Sequence, residues 1–374
     1  MEVCRRLPAG LGSDTRRLDR LNGWLGRPQN RALDCTRTRA GSGMIVGMTR
    51  RRAVAALAIL CCLCLAGAGV LLLRSRDKAG SLAPSDGSLL GAWVTPPGDF
   101  TTAGRQTAVT QLETDIGRRL DINHHFYNWD KPFPSEDERW DLANDRIPMI
   151  SWGDRDTQRV ASGADDDLIR ERADALKALG RPVLLRWFWE MDGDRYQAVA
   201  RSPEEYVAAW RHLHDVFAER GADNVRWVGC PNASGFADGT AQRFYPGNAY
   251  VDWVCADGYD YPWNTVSFAD IFKDFHAWGA GTGKPLMVGE WGAIERAPGA
   301  KARWLAGARD ALKSRLPRVA AVVYFDANRQ YDWRLTTSAD SFTAFKAMAR
   351  DPYFNRRDAR LLARSNSSGS KASE

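Results

Sequence analysis

Residues 182–190 read PVLLRWFWE, an apolar run that is interrupted by Arg186 and ends in Glu190. Continuous apolar runs of this length are typical of strands covered on both faces, as in parallel sheets. A carboxylate at the end of such a strand is costly unless it is paired or used in chemistry. The stretch therefore predicts a parallel sheet with a polar site at the end of this strand.

Similar runs recur along the chain and alternate with helical patterns. The eight apolar runs span residues 89–94, 121–128, 147–152, 182–190, 225–230, 251–259, 285–291 and 319–325. The helical patterns span residues 104–120, 136–145, 166–179, 203–220, 268–278, 300–315 and 340–350, and the 230–250 connection is loop-like. This rhythm predicts an α/β fold, a (β/α)8 TIM barrel. A doubly wound open sheet is the alternative, but no GxGxxG motif follows the first run.

A second carboxylate ends the seventh run, where residues 288–292 read VGEWG and Glu290 precedes Trp291. Side chains at strand ends meet on one face of a barrel, so Glu190 and Glu290 are expected to face each other there. Aromatic neighbours desolvate a carboxyl group and provide flat faces for sugar rings. Glycoside hydrolysis needs one carboxylic acid and one carboxylate in such an arrangement. Two structural glutamates in ion pairs with bases such as Arg186 are the alternative.

Four motifs carry a family resemblance: LGAW at 90–93, LRWFWEMDG at 185–193, DWVCADGYDYPW at 252–263 and VGEWG at 288–292. Over residues 88–354 their order and spacing resemble glycoside hydrolase family 26, a retaining (β/α)8 family. The resemblance implies that Glu190 is the acid/base, Glu290 the nucleophile, and Tyr259 a hydrogen-bond partner of Glu290. It implies endo-hydrolysis of β-linked polysaccharide of the β-mannan or β-glucan type, by double displacement without metal or cofactor.

One residue departs from the pattern of the mannanases in that family. They usually have His immediately before the acid/base, where this chain has Trp189, and a Trp-rich run after it, where residues 194–197 read DRYQ. That His contacts the sugar in the −1 subsite. We therefore expect Trp189 to contact substrate and to change the choice of sugar more than the hydrolysis.

Further candidate site residues follow from strand parity. Arg186 shares the parity of Glu190, so it is expected to point into the barrel and orient a carboxylate. Neighbours on a strand face opposite sides, and of the histidines on the second run we expect His125 to reach the site and His124 to pack. Three tryptophans at or just beyond strand ends are candidate stacking platforms, although packing is the common role of any single one: Trp152, Trp263 and Trp291.

Cysteines and histidines give little support for a metal site. Five His and seven Cys argue against a zinc protein. His212 and His214 do not share a helix face and form a poor metal pair. Cys230 and Cys255 are the only cysteines of residues 79–374 and lie on adjacent predicted strands. A disulfide would suit an exported domain, but we expect buried reduced thiols.

The amino-terminal part carries a candidate membrane address. Residues 53–73 are uncharged and follow three arginines, and a helix of that length, about 30 Å, matches a bilayer core. We predict a membrane anchor or a cleaved secretory signal, with the remainder membrane-anchored and extracytoplasmic, or secreted. The predicted flanking parts are a basic disordered segment (1–52), a linker (74–87) and a disordered tail (355–374).

The distribution of charge bears on partners. The net charge is +6, but residues 1–78 hold 15 basic and five acidic residues, and residues 79–354 hold 32 basic and 39 acidic ones. An acidic body is repelled by phosphate backbones, so nucleic acid is excluded as a partner. We expect a monomer that binds polysaccharide and meets the membrane through residues 53–73. The alternatives are a non-catalytic carbohydrate-binding or cell-wall scaffold protein and a glycosidase that processes exopolysaccharide.

Overall fold

The computed structural model describes residues 82–194, 197–263 and 265–354, which contain a closed barrel of eight parallel strands. The strands are β1 (Leu89–Val94), β2 (Ile122–Tyr127), β3 (Ile147–Trp152), β4 (Val183–Trp187), β5 (Val225–Gly229), β6 (Trp253–Asp260), β7 (Leu286–Ala293) and β8 (Val319–Asp326). Each strand pairs with the next, and β8 pairs with β1. The predicted barrel is confirmed, and the open-sheet alternative is wrong.

Helices follow the strands and surround the barrel. They are α1 (Thr102–Ile116), α2 (Glu136–Ala143), α3 (Thr157–Ala161), α4 (Asp166–Lys177), α5 (Gln197–Ala200), α6 (Pro203–Glu219), α7 (Gly235–Asp238), α8 (Thr240–Arg243), α9 (Phe268–Ala280), α10 (Ala300–Ser314) and α11 (Ala339–Arg350). Two single turns of 3₁₀ helix follow β8, at Leu335–Thr337 and Pro352–Phe354. The four shortest helices were not predicted, because one turn is too short to show a helical period.

Local chemistry fixes where the helices begin. The Ser202 hydroxyl accepts a hydrogen bond from the Glu205 amide at 3.1 Å, and Pro203 occupies the first turn of α6. At α2, the Ser135 and Glu138 side chains cap each other's backbone amides. Both patterns satisfy amides that have no partner inside the helix. These caps fix the first residues of α2 and α6.

The core has two layers, separated by the barrel wall. Inside the barrel, Leu184, Met287 and their neighbours pack together, and outside it Leu185, Trp187 and Val288 pack against the helices. Alternate residues of each strand therefore face opposite layers. Since Arg186 shares the parity of Leu184, its guanidinium enters the barrel interior.

The predicted membrane address lies outside the part of the chain that can be described. Residues 53–73, the basic segment 1–52, most of the linker 74–87 and the tail 355–374 fall outside residues 82–194, 197–263 and 265–354. Within those described ranges, none of the helices combines the length and the apolarity that crossing a bilayer requires.

Candidate active site

The Glu290 carboxylate on β7 is held at both oxygens. Arg186 Nη2 donates to its Oε1, and the Tyr259 hydroxyl donates to its Oε2 at 2.5 Å. The three side chains come from β7, β4 and β6, and all three are buried. Charge-assisted hydrogen bonds of this kind fix the orientation of a carboxylate. Glu290 is thus presented in one direction inside the mouth of the barrel.

Arg186 connects Glu290 to a second buried acid. Its Nη1 lies 2.6 Å from Asp257 Oδ2, and its Nε donates to the Ser151 hydroxyl at 2.7 Å. Burial raises the pKa of Asp257 well above its usual range, and the Arg186 guanidinium opposes the shift. Asp257 was not among the predicted site residues. The available signal was an acidic side chain inside the apolar run 251–259, with the parity of Tyr259.

Glu190 lies beyond the end of β4, on an irregular turn. Phe188 and Glu190 have φ angles of 46° and 53°, in the left-handed region that non-glycine residues rarely adopt. The Glu190 amide donates to the Cys230 carbonyl at 2.8 Å, and the Gly193 amide donates to the Glu190 carbonyl at 2.9 Å. Left-handed residues break strand geometry, so β4 ends at Trp187 and the predicted run to residue 190 is too long. Such backbone strain is found where side chains are aimed at a site.

The negative charges of Glu190 and Glu290 raise the pKa values of the same two neighbours, Tyr259 and Asp257. Burial raises the pKa of Tyr259 well above its usual range, and the negative charges of Glu290 and Glu190 both add to the shift. Burial is the largest cause of the raised pKa of Asp257, and the same two charges add to it. Both glutamates therefore lie close to one group of side chains, although distant parts of the chain supply them.

The two histidines of β2 face opposite sides, but in the order opposite to the one predicted. His124 enters the barrel, where its Nε2 lies 2.6 Å from Ser151 Oγ and 3.4 Å from Arg186 Nη2. His125 points outward and its Nε2 lies 2.6 Å from Asp141 Oδ2, on α2. The prediction that His125 reaches the site is wrong, because alternation alone does not say which neighbour faces inward. Burial, with the charge of Arg186, lowers the pKa of His124 well below its usual value.

Two of the predicted tryptophan platforms are structural. Trp152 is wholly buried between barrel and helices and stacks on Trp129, with ring centroids 4.2 Å apart. Trp291 is equally buried and packs on Trp304 at 5.9 Å. Trp291 follows Glu290, which points inward, so its own side chain must point outward. The prediction that Trp152 and Trp291 stack on sugar is therefore wrong.

Other aromatic side chains do surround the two glutamates. The Arg186 guanidinium lies 5.1 Å from the ring centre of half-buried Trp189. Trp263 is 67% exposed and stacks on Tyr261 at 4.9 Å. The aromatic residues near the site that sequence analysis missed are Trp93, Phe126, Tyr261, Phe325, Tyr331 and Trp333. Most lie at strand ends or in the loop after β8, where no residue pattern marks a side chain as functional.

A disulfide joins Cys230 and Cys255 inside the barrel, so the expectation of reduced thiols is wrong. The Cys230 sulfur lies 3.0 Å from Asp257 Oδ1. Among residues 82–194, 197–263 and 265–354, the one group with atoms close enough to share a metal ion is Cys230, Cys255 and Asp257. Thiolates, not disulfide sulfurs, bind metals, and the Arg186 cation already contacts Asp257. The donor set therefore does not suit a cation.

The family of the chain follows from a match to a family model. Residues 122–308 match the model of glycosyl hydrolase family 26. This chain belongs to glycosyl hydrolase family 26. The matched span of this family 26 domain contains the residues of the cluster, Arg186, Glu190, Asp257, Tyr259 and Glu290.

Individual relatives of this family 26 chain differ in their activities. Endoglucanase H of Acetivibrio thermocellus is 32% identical over 299 residues, which cover 74% of this chain and 31% of the relative. The β-1,3-xylanase TXYA of a Vibrio species is 31% identical over 144 residues, which cover 36% of this chain and 28% of the relative. The chain thus spans less than a third of these two curated relatives.

Solved structures resemble this chain in fold. A family 26 β-mannanase from Bacteroides ovatus superposes with a TM-score of 0.59 at 17% identity, covering 78% of this chain and 96% of the other. The catalytic domain of an endo-β-1,4-mannanase from Bacillus sp. JAMB-750 gives a TM-score of 0.58 at 17% identity, covering 77% of this chain and 91% of the other.

Proposed function

We propose that this protein is a retaining, endo-acting glycoside hydrolase of β-linked polysaccharide. The observation that carries the proposal is the Glu290 carboxylate, which is held at both oxygens by Arg186 and Tyr259, with Glu190 close to the same group. Retaining glycosidases need two carboxyl groups about 5–5.5 Å apart, one as nucleophile and one as acid/base. We assign Glu290 as the nucleophile and Glu190 as the acid/base.

In the first step, a Glu290 oxygen attacks the anomeric carbon of the sugar and forms a glycosyl ester. The bond from that carbon to the glycosidic oxygen breaks, and Glu190 gives its proton to the departing oxygen. Arg186 and Tyr259 hold the carboxylate in line with the carbon that it attacks. Positioning of this kind lowers the barrier because little orientation is lost at the moment of reaction.

In the second step, water attacks the same carbon from the side that the leaving group vacated. Glu190, now ionised, takes the proton of the water, and the ester bond to Glu290 breaks. Two inversions give a product with the anomeric configuration of the substrate. No step requires a metal or a redox cofactor.

The local charges are consistent with a proton on one of the acids. Glu190, Asp257 and Glu290 lie around one guanidinium, that of Arg186, and like charges close together disfavour full ionisation. Neutral His124 adds no positive charge. Glu190 is half-buried, whereas Asp257 and Glu290 are buried, so Glu190 is the most solvent-accessible of the three acids.

We favour β-glucan over β-mannan as the substrate. The relative matched over 74% of this chain is named Endoglucanase H. Trp189 gives the site an indole face where the mannanases of the family usually have His. The indole packs on the C–H face of a pyranose and carries one N–H donor, but it lacks the acceptor nitrogen of a neutral imidazole.

Digestion of a polysaccharide panel tests the proposal. The full chain and its Glu190→Ala and Glu290→Ala variants are incubated with mixed-linkage β-glucan, β-mannan and β-1,3-xylan. Glu219→Ala, at an exposed position at the end of α6, is the control. We expect wild type and control to release oligosaccharides with retained configuration, and both site variants to remain folded but lose most activity. Azide is expected to rescue Glu290→Ala and give a glycosyl azide of inverted configuration.

Three outcomes would contradict the proposal. Unchanged rates in either site variant would remove the assigned roles, and a first product of inverted configuration would exclude double displacement. Binding of the panel without turnover would favour a carbohydrate-binding or scaffold protein.

We also propose that the barrel acts outside the cytoplasm, anchored or secreted through residues 53–73. The support is the uncharged run after Arg50, Arg51 and Arg52. Cell fractionation, with determination of the amino terminus of the mature chain, tests this. A product found in the cytoplasm would contradict it. Processing of the cell's own exopolysaccharide is the alternative to digestion of external polysaccharide. Linkage analysis of the exopolysaccharide in a deletion strain separates these two roles.

A further inference from the structure

An exposed tryptophan stands beside the proposed catalytic group. Among the described residues, two large apolar side chains are well exposed, and Trp263 is the more exposed at 67%. Its ring lies parallel to that of Tyr261, with centroids 4.9 Å apart and an angle of 6° between the planes. Tyr331 packs edge-on against it at 5.7 Å. One face of the indole is thus supported by protein while most of the side chain remains in solvent.

Arg296 holds the loop that carries this ring. Its Nη2 donates to Asp260 Oδ1 at 2.5 Å, and its Nη1 donates to the Pro262 carbonyl at 2.9 Å. The same guanidinium donates to the Tyr261 carbonyl. Arg296 lies after β7 and therefore ties that loop to the one after β6. A loop ordered before binding loses less entropy when a ligand arrives.

The aromatic rings form a row that begins at the nucleophile. Tyr259 donates to Glu290, the Tyr261 ring lies 5.8 Å from the Tyr259 ring, and Trp263 follows. Burial raises the pKa of Tyr261, and among its neighbours the charge of Glu190 contributes most, ahead of Glu290. The row therefore runs past the acid/base as well as the nucleophile.

There is space beside the row for a sugar ring. A groove of about 490 Å³ is lined by Tyr331, Asp332 and Arg334, among others. This volume lies within the range of small-molecule sites in proteins, about 300–1,000 Å³. Tyr331 lines this groove and also packs against the Trp263 ring.

We propose that Trp263 is the platform of a subsite for sugar residues on the leaving-group side, and that Arg296 positions it. This inference rests on the proposed hydrolase function. The ring stacks on the C–H face of a pyranose beyond the bond that is cleaved. In the second step the same subsite holds an acceptor sugar. The acceptor oxygen bonds to the anomeric carbon, its proton passes to Glu190, and the ester bond to Glu290 breaks.

The test compares two substrates that share the sugar attacked by Glu290. One is the polysaccharide that the wild type cleaves best, and the other is an aryl β-glycoside whose leaving group is a single phenol. In Trp263→Ala we expect the ratio of kcat/KM for polysaccharide to kcat/KM for aryl glycoside to fall about tenfold. Trp263→Phe is expected to lose less, and transfer to an added oligosaccharide acceptor is expected to fall in parallel.

Arg296→Ala separates positioning from general stability. If Arg296 acts through Trp263, the variant lowers the same ratio, and the double variant is no worse than Trp263→Ala alone. Trp140→Ala, on α2 with its ring under Arg146, is the control for removal of an indole elsewhere, and its ratio is expected to stay at the wild-type value.

Two results would overturn the subsite. Equal fold losses on both substrates in Trp263→Ala would mean that the side chain acts through folding, and wild-type rates on both substrates would mean that it does not touch substrate. A wild type that cleaves neither substrate would instead contradict the hydrolase function itself.

Discussion

Arg186 and Asp257 form an ion pair across the barrel interior, with Nη1 and Oδ2 2.6 Å apart and both side chains wholly buried. Their strands, β4 and β6, are not adjacent. The guanidinium that orients Glu290 is thus itself held in place by a second acid. Removal of one partner from a buried pair typically costs about 3–5 kcal/mol, and Arg186 would keep Glu290 as its other ionic partner, so we expect the lower end of this range.

We therefore predict that Asp257→Asn lowers the free energy of unfolding by about 3 kcal/mol, and also lowers kcat because Arg186 is less firmly held. Urea unfolding and initial rates provide the measurements. Asp174→Asn is the control, because Asp174 pairs with Arg220 on the surface, where both side chains are 45% exposed, and should lose much less stability. Equal losses in the two variants would show that burial of the Arg186 pair is unimportant.

Tyr259→Phe removes the phenol that donates to Glu290 Oε2 at 2.5 Å. Hydrogen bonds to charged groups contribute about 1.5–3 kcal/mol, so we expect kcat to fall by about 10- to 100-fold. KM is expected to change little, since the ring itself remains. Steady-state kinetics on the preferred polysaccharide is the measurement.

Tyr353→Phe is the matched control for this phenol. Its hydroxyl donates to the Leu312 carbonyl at 2.9 Å, outside the barrel. We expect a small loss of stability and a wild-type kcat. A Tyr259→Phe enzyme that keeps wild-type kcat would remove Tyr259 from the proposed mechanism.

The strands were predictable where the apolar runs are uninterrupted. The bounds expected for β1 and β3 match the observed Leu89–Val94 and Ile147–Trp152. The run at 182–190 extended beyond the true end of β4, because hydrophobicity does not reveal the left-handed backbone at Phe188 and Glu190. Backbone strain of this kind depends on tertiary contacts, such as the Glu190 amide bonding to Cys230, which a single sequence does not show.

The site was predictable only in part, for a related reason. Arg186, Tyr259 and Glu290 were expected together, and they lie in one hydrogen-bonded group. Strand alternation separates neighbours into two faces but does not name the inner face, which explains the exchange of His124 and His125. Tryptophan suits both a sugar platform and a core equally well, so a position at a strand end does not distinguish the two roles.

Gly289→Ala tests how tightly the barrel interior next to Glu290 is packed. A Cβ at this position would lie 2.4 Å from the Cys255 sulfur and 2.8 Å from Asp257 Oδ1. The disulfide and the ion pair restrict how far these atoms can move. Overpacking of this kind typically costs about 1–3 kcal/mol, and we also expect lower kcat because Glu290 is the next residue.

Gly307→Ala provides the contrast, because a Cβ there meets nothing within 4 Å. Gly307 lies inside α10, where alanine is favoured over glycine by about 0.5–1 kcal/mol. We expect this variant to be slightly more stable than wild type and equally active. Thermal or urea unfolding of both variants is the measurement. A Gly289→Ala variant with wild-type stability would show that the Cys255 sulfur and the Asp257 carboxylate can move aside.

His125 is expected to make stability depend on pH in the alkaline range. Burial lowers its pKa, but the Asp141 carboxylate more than reverses this and raises the pKa from 6.5 to about 9. The folded state therefore keeps a proton that the unfolded state has released. The resulting stabilisation is complete below about pH 6.5 and is lost as the pH rises through about 9. Burial also raises the pKa of Asp141, which reduces the net gain from the pair.

We predict that the wild type loses about 2–3 kcal/mol of unfolding free energy between pH 6.5 and pH 9, and that His125→Gln lacks this loss. Glutamine can still donate to Asp141 but carries no titrating proton. Urea unfolding at several pH values across this range gives both curves. Because His125 faces α2 and not the barrel interior, the variant should keep wild-type kcat at neutral pH. Parallel stability curves would mean that the His125 proton is not held by Asp141, and a large loss of kcat would mean that His125 serves the site after all.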